Sequence, residues 1–323
     1  MNRQTGRFKV GGDHLWGWLF LIGSLVSGLA AQDESVAVDS ASNSSFDEEE
    51  TPLVADSAVG YLDNPLLGNQ LRFRYDASFG VVQPARAEFF WPVNGAFGPG
   101  PGPETELDYQ DFSLYAESMM GANWSVFGEL PFRMTNPEIQ DNTSGLSDAN
   151  FGAKYRLQQG CYSAWTAQLR MYVPSGDGDR GLGNNHTSIE PGLLYYDKIS
   201  QRVTCYAELK DWIALDGSPG FAGNVLRYGL GLSCELTECD ACHPLIAVGE
   251  FVGWTVLDGG TSITTAPNNT VFASASGDTI ANAKAGLRWR LTPWTDIYGG
   301  YGRVLTDQTW YDDTLRFELR RTY

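Results

Sequence analysis

The sequence predicts an all-β protein: a transmembrane antiparallel up-and-down β-barrel of about 12 strands, after a signal peptide and a disordered acidic leader. Three observations carry this. Apolar and polar residues alternate with a period of two in segment after segment, the pattern of strands with unlike faces. Short connections alternate with long ones rich in Gly, Pro, Asn and Asp, as periplasmic turns and outer loops do in bacterial barrels. Beyond Leu29 no apolar run is long enough for a spanning helix, so insertion into a bilayer must use strands. Composition agrees, since 37 Gly and 13% aromatic residues in 323 favour strands over helices. A net charge of -17 argues against a nucleic-acid partner, which selects basic patches.

Residues 1–31 read as a signal peptide. Arg3, Arg7 and Lys9 form a positive head, and Leu15 to Leu29 is apolar but short for a span of ~20 residues. Gly28-Leu29-Ala30 supplies small residues where a signal peptidase reads. Residues 32–66 follow as a leader rich in Ser, Ala and acid, including the run Asp47 to Glu50. Such a composition buries too little apolar surface to order itself. A disordered periplasmic leader is expected, with a plug folding back into the barrel as the alternative. Residues 67–323 are expected to form the barrel.

Taken in order, the first strand sets Leu71, Phe73, Tyr75, Ala77 and Phe79 against Arg72, Arg74, Asp76 and Ser78. The second places Phe112, Leu114 and Ala116 opposite Asp111, Ser113, Tyr115 and Glu117. Next, Trp124, Val126, Gly128, Leu130 and Phe132 oppose Ser125, Glu129 and Arg133. Ala149, Phe151, Ala153, Tyr155 and Leu157 oppose Asn150, Lys154 and Arg156; Trp165, Ala167, Leu169, Met171 and Val173 oppose Thr166, Gln168 and Arg170. Ser188 to Asp197 and Val203 to Ile213 alternate more weakly. Leu226, Tyr228, Leu230, Leu232 and Leu236 form a row opposite Arg227, Ser233 and Glu235. Leu245 to Val256 is nearly all apolar apart from Glu250, which leaves its facing ambiguous. Ala281, Ala283, Ala285, Leu287, Trp289 and Leu291 oppose Asn282, Lys284, Arg288 and Arg290, and a glycine-rich strand follows from Thr295 to Val304. The last strand sets Leu315, Phe317, Leu319 and Tyr323 against Thr314, Arg316, Glu318 and Arg320, with Arg321 breaking the apolar parity.

An up-and-down barrel in water would put the apolar face inside. Export and the aromatic residues near strand ends (Trp124, Tyr155, Trp165, Trp289, Trp294, Tyr323) favour the membrane, where such residues form interfacial girdles. The polar faces then turn inward, because Lys154 or Arg156 facing lipid at mid-depth would cost ~2–4 kcal/mol each. The lumen-lining candidates are Arg72, Arg74, Glu117, Glu129, Lys154, Arg156, Arg170, Lys284, Arg288, Arg290, Arg316, Glu318 and Arg320. About eight strands give a filled lumen and 16–18 an aqueous channel. With opposite charges reaching across an intermediate barrel, a narrow or gated passage is expected.

The final strand, closing on an aromatic residue, resembles the C-terminal signal of bacterial outer-membrane barrels. The resemblance implies the barrel-assembly machinery as a partner of the strand ending at Tyr323. Ser147-Asp148-Ala149-Asn150-Phe151-Gly152-Ala153-Lys154-Tyr155, the hairpin Tyr172-Val173-Pro174-Ser175-Gly176-Asp177 with Gly181-Leu182-Gly183, and the return His186-Thr187-Ser188-Ile189-Glu190-Pro191-Gly192-Leu193 are similar to segments of a known family. It is the outer-membrane β-barrel transporter family tied to the MetA pathway of phenol degradation. Ala85-Arg86-Ala87-Glu88-Phe89-Phe90-Trp91 is similar to exported barrel proteins of planctomycete-type bacteria. The resemblance implies a barrel in the cell outer membrane that passes small, in part hydrophobic, solutes.

Cys205 and Cys234 stand on the apolar parities of successive strands, so a cross-strand disulfide and a pair of free thiols are both open. Cys239, Cys242 and His243 spell the attachment pattern of a c-type haem, but in a predicted turn; a turn disulfide or chance accounts for it better, and no cofactor is expected. His186 reads as a solvated loop residue, and no spacing supports a catalytic triad or a calcium loop. A channel for small solutes, embedded in outer-membrane lipid and not an enzyme, is therefore expected. A non-conducting structural or surface-binding barrel that uses its long outer loops is the alternative.

Overall fold

The computed structural model describes residues 53–81, 100–102, 104–237, 243–266, 269–307 and 310–323. Among these residues the strands are β1 (Gln70–Val81), β2 (Leu107–Met119), β3 (Trp124–Pro137), β4 (Thr143–Leu146), β5 (Asn150–Gln159), β6 (Ser163–Tyr172), β7 (Ser188–Lys198), β8 (Val203–Ala214), β9 (Val225–Glu235), β10 (Leu245–Val256), β11 (Gly260–Ala266), β12 (Asn269–Ser274), β13 (Thr279–Thr292), β14 (Thr295–Val304) and β15 (Asp313–Thr322). Twelve of them form the barrel, each antiparallel to its neighbours in chain order. The ring closes where β1 pairs with β15, Gln70 opposite Thr322 and Phe79 opposite Asp313. Closure removes both sheet edges, so every wall strand has a partner on each side. β4 adds only to the outer end of β3, and β11 and β12 form a separate hairpin in the long connection after β10.

The two-residue period sets the facing. Apolar side chains such as Leu130, Phe151, Leu169, Leu230, Leu287 and Phe317 point outward and are largely exposed, while the alternate polar positions are mostly buried inside. This is the outer-membrane arrangement, with an apolar belt outside and charge within. Trp124, Tyr155, Trp165, Trp289, Trp294 and Tyr323 are exposed at the short-turn end. There the Trp124 and Tyr155 rings lie 4.6 Å apart across β3 and β5, and those of Trp165 and Tyr195 lie 4.4 Å apart across β6 and β7. β10 is apolar on both faces because its inner row (Val248, Val252, Trp254, Val256) packs inside the barrel rather than against water.

What it packs against lies outside the expected barrel boundary. Residues 53–66 fall in the stretch whose composition predicts a disordered leader, with a plug as the alternative; residues 57–62, 64, 66 and 67 are buried within the ring. Val59, Leu62 and Leu66 form a core with inward Tyr196, Tyr206, Val252 and Trp254. β9 accommodates the segment by lacking side chains at two inward positions. A Cβ on Gly229 or Gly231 would stand 2.4 or 3.0 Å from Leu62. The acidic run 33–50, the signal segment and residues 85–91 lie outside the described residues.

Candidate functional site

The segment 53–69 is a plug, and its irregular backbone needs partners that it cannot supply itself. Inward side chains provide them. Arg290 and Arg320, at the short-turn end of β13 and β15, donate to the carbonyls of Ala55 and Ser57 at 2.8 Å each. Arg288 donates to Val59 O at 2.6 Å and to Glu318 at 2.8 Å, while Arg320 Nε donates to Asp296 at 2.8 Å. Arg288 and Asp296 also pair directly. At the tip, Glu250 accepts the N–H groups of Gly60, Tyr61 and Leu62 at 2.9, 2.7 and 3.3 Å. Asp63 accepts from Gln168, Arg170 and Lys210 at 2.9, 2.9 and 2.6 Å. The Tyr61 ring lies between two cations, with Lys284 Nζ at 3.7 Å and Arg316 Cζ at 4.1 Å from its centroid.

The return limb is held on the opposite wall. Lys154 Nζ donates to Asn64 O at 3.0 Å and to Glu117 at 2.9 Å, and Thr166 Oγ1 donates to Pro65 O at 2.6 Å. Glu117 also accepts from Gln70, Tyr115 and Ser125. The pair is fully enclosed, with Lys154 and Glu117 each 1% exposed. Such a pair has a large desolvation cost, and only this many hydrogen bonds make it tolerable.

Above the plug lies a cavity of about 250 Å³ whose floor includes Tyr61 and Asp63. Its walls are ion pairs: Arg133 grips Asp111 at 2.8 and 2.7 Å, Arg316 grips Asp76 at 2.6 and 2.8 Å, and Arg74 meets Glu129. Arg72 lies 3.8 Å over the Tyr115 ring and 3.7 Å from Glu318. Arg170 joins Asp63 and, at 4.0 Å, Glu190. Arg156 is half-buried at the short-turn end, away from these pairs.

The motif residues of β5 and the loop after β6 tie two outer connections together. Asp148 accepts the N–H groups of Gly176 and Asn184 at 3.0 and 2.7 Å, and Ser175 Oγ accepts from Ala149 N and donates to Ser147 O. Burial raises the Asp148 carboxyl above its ordinary pKa despite those donors.

One expectation changes, and two open alternatives are decided. Cys205 pairs in register with Leu232 and Cys234 with Val203, so the two cysteines are offset by two residues; both thiols are free and on the outward parity, and no disulfide joins them. His186 is not solvated: it is 2% exposed, its ring 5.4 Å from that of Trp212. The second alternative decided is the plug, and its contact residues Tyr61, Asp63 and Lys210 carry no signal in the sequence. Glu250 was the legible signal, a lone acid in an apolar strand. Of the haem-like motif, Cys239 and Cys242 lie outside the described residues, and His243 is exposed.

The fold is similar to that of an outer membrane channel from Pseudomonas putida F1, with a TM-score of 0.52, 13% identity, and coverage of 83% of this chain and 100% of that one. The β domain of the Bordetella autotransporter BrkA (TM-score 0.47, 11% identity, 79% of this chain and 100% of that one) and the NanC porin (0.45, 8%, 79% and 99%) match more loosely. At these identities the likeness concerns the fold alone. No family model and no curated protein matches the chain.

Proposed function

We propose that the protein is an outer-membrane channel for small polar solutes, held shut by residues 53–69. The observation that carries this is the polar, charge-lined cavity ending on a plug that is bound by side chains rather than built into the wall. A lumen needed only for rigidity has no use for an open cavity above a separate segment. The likeness to a channel supports the reading, as do the quoted motifs resembling the phenol-degradation transporter family. That family's implied hydrophobic solutes suit the ion-paired wall less well than polar ones do. In this reading the signal peptide 1–31 exports the chain, and the final strand to Tyr323 is read by the barrel-assembly machinery.

Single-channel recording in planar bilayers tests it. The parent should conduct weakly and intermittently, and deletion of residues 53–66 should give a steadily open, larger conductance. Glu250→Gln, which removes the charge from an acceptor of three plug N–H groups worth ~1.5–3 kcal/mol each, should raise open probability without changing the open level. If neither the parent nor the deletion conducts or passes solute in swelling assays, the barrel is structural. The dense hydrogen bonding of the plug is the observation that favours that second reading.

A further inference from the structure

The floor of the cavity holds a lysine with which no carboxylate makes direct contact among the described residues. Lys284 projects inward from β13, is 7% exposed and lines the cavity. Among the described residues its Nζ makes no hydrogen bond, and no carboxylate oxygen lies within 4.0 Å. Glu250 is its direct neighbour across the β10–β13 register, but that carboxylate is taken up by the plug N–H groups. Aromatic rings surround the ammonium instead: Tyr61 at 3.7 Å, Tyr311 at 5.5 Å and Trp254 at 5.9 Å. Trp254 is shared with a second cation, since Arg227 Cζ lies 6.0 Å from the same ring. Arg227 Nε is buried 3.4 Å from Glu208 without a hydrogen bond, and the Tyr311 hydroxyl is buried without a partner among the described residues.

These donors converge on one chemistry. Lys284 Nζ, Arg227 Nε and the Tyr311 hydroxyl face the cavity region without a hydrogen-bond acceptor among the described residues, and a carboxylate supplies acceptor oxygens to such donors. A buried charge is costly until a counter-ion reaches it. A neutral solute would leave Lys284 without an anionic contact, and because Arg227 already lies near Glu190 and Glu208, one carboxylate is the charge that Lys284 calls for. Val252 and Trp254 line the same floor and offer an apolar surface beside the donors. We propose that Lys284, Arg227, Tyr311 and Trp254 form a subsite for a small organic monocarboxylate, its carboxylate on the cations and its apolar body along Trp254. The proposal rests on the reading of the lumen as a solute path and names the solute class.

Calorimetric titration of the purified full chain in detergent with benzoate, benzamide and acetate needs no flux, so it separates the subsite from conduction. Benzoate should bind at least about tenfold more tightly than benzamide, the factor expected for one modest ion pair. Acetate, lacking the body, should bind more weakly than benzoate. Lys284→Gln should weaken benzoate by a similar factor while Lys284→Arg retains it, both variants keeping the heat-modifiable gel band of a folded barrel. Equal binding of benzoate and benzamide, no binding of benzoate by the parent, or unchanged binding in Lys284→Gln would overturn the proposal. Benzoate binding without conduction would keep the subsite and remove the channel; conduction without benzoate binding would do the reverse.

Discussion

Lys154 shows how a single inward position sustains the barrel. Its ammonium joins Glu117 on the wall to Asn64 O on the plug, with no access to water. Lys154→Met leaves the Glu117 carboxylate buried without its cation and should cost ~3–5 kcal/mol. Lys154→Met with Glu117→Gln should recover most of that. Both are read as the denaturant concentration at which the barrel unfolds in detergent. A single variant as stable as the parent would mean that water or another donor reaches Glu117. The sequence placed both residues on the polar parity; it carried no sign that Asn64 completes the pair, because residue 64 lies in a stretch whose composition reads as leader.

At the scale of elements, the outer connections are fastened by carboxylates at their ends. Glu104, just before β2, accepts the N–H groups of Thr105, Ile139 and Gln140 at 2.8 to 3.0 Å. Burial raises its pKa, but the backbone donors outweigh burial and hold it below its ordinary 4.5. A depressed carboxyl stabilises the fold above its unfolded pKa, and that contribution is lost as pH falls through the folded value. Protection of the Ile139 and Gln140 amides against hydrogen exchange should therefore fall once pH drops below about 4.5. Glu104→Gln should show reduced protection already at neutral pH; unchanged protection in both cases would show that the turn holds without this carboxylate. Alternation marks β3 more cleanly than β2, and the acid's task is not legible in either, since two of its three donors, Ile139 and Gln140, lie about 35 residues downstream.

For the whole molecule, stability depends on an apolar belt meeting an apolar solvent. Leu230 stands mid-strand in β9 and is 61% exposed, which in water would be unfavourable and in lipid is not. Leu230→Arg should destabilise folding into vesicles by ~2–4 kcal/mol, measured by urea titration. A change near zero would mean that the position faces water.

What the sequence alone determined is whatever a local period can express. Alternation told Phe317 from Glu318 and Leu169 from Arg170, connection lengths ordered the strands, and about 12 strands followed. These are properties of neighbouring residues, and the energy of turning a charge toward lipid decides them one strand at a time. Only the tertiary structure decided what fills the ring. A plug whose regular structure is a single 3-10 turn, Val54–Asp56, has no period, and its cohesion comes from side chains on distant strands, Glu250 some 190 residues away and Arg320 some 263. The offset of Cys205 from Cys234 is likewise a matter of register, which equal parity leaves open by multiples of two. Burial of Gly60 to Leu62 among charged side chains is a property of the closed barrel, and no window of the chain contains it.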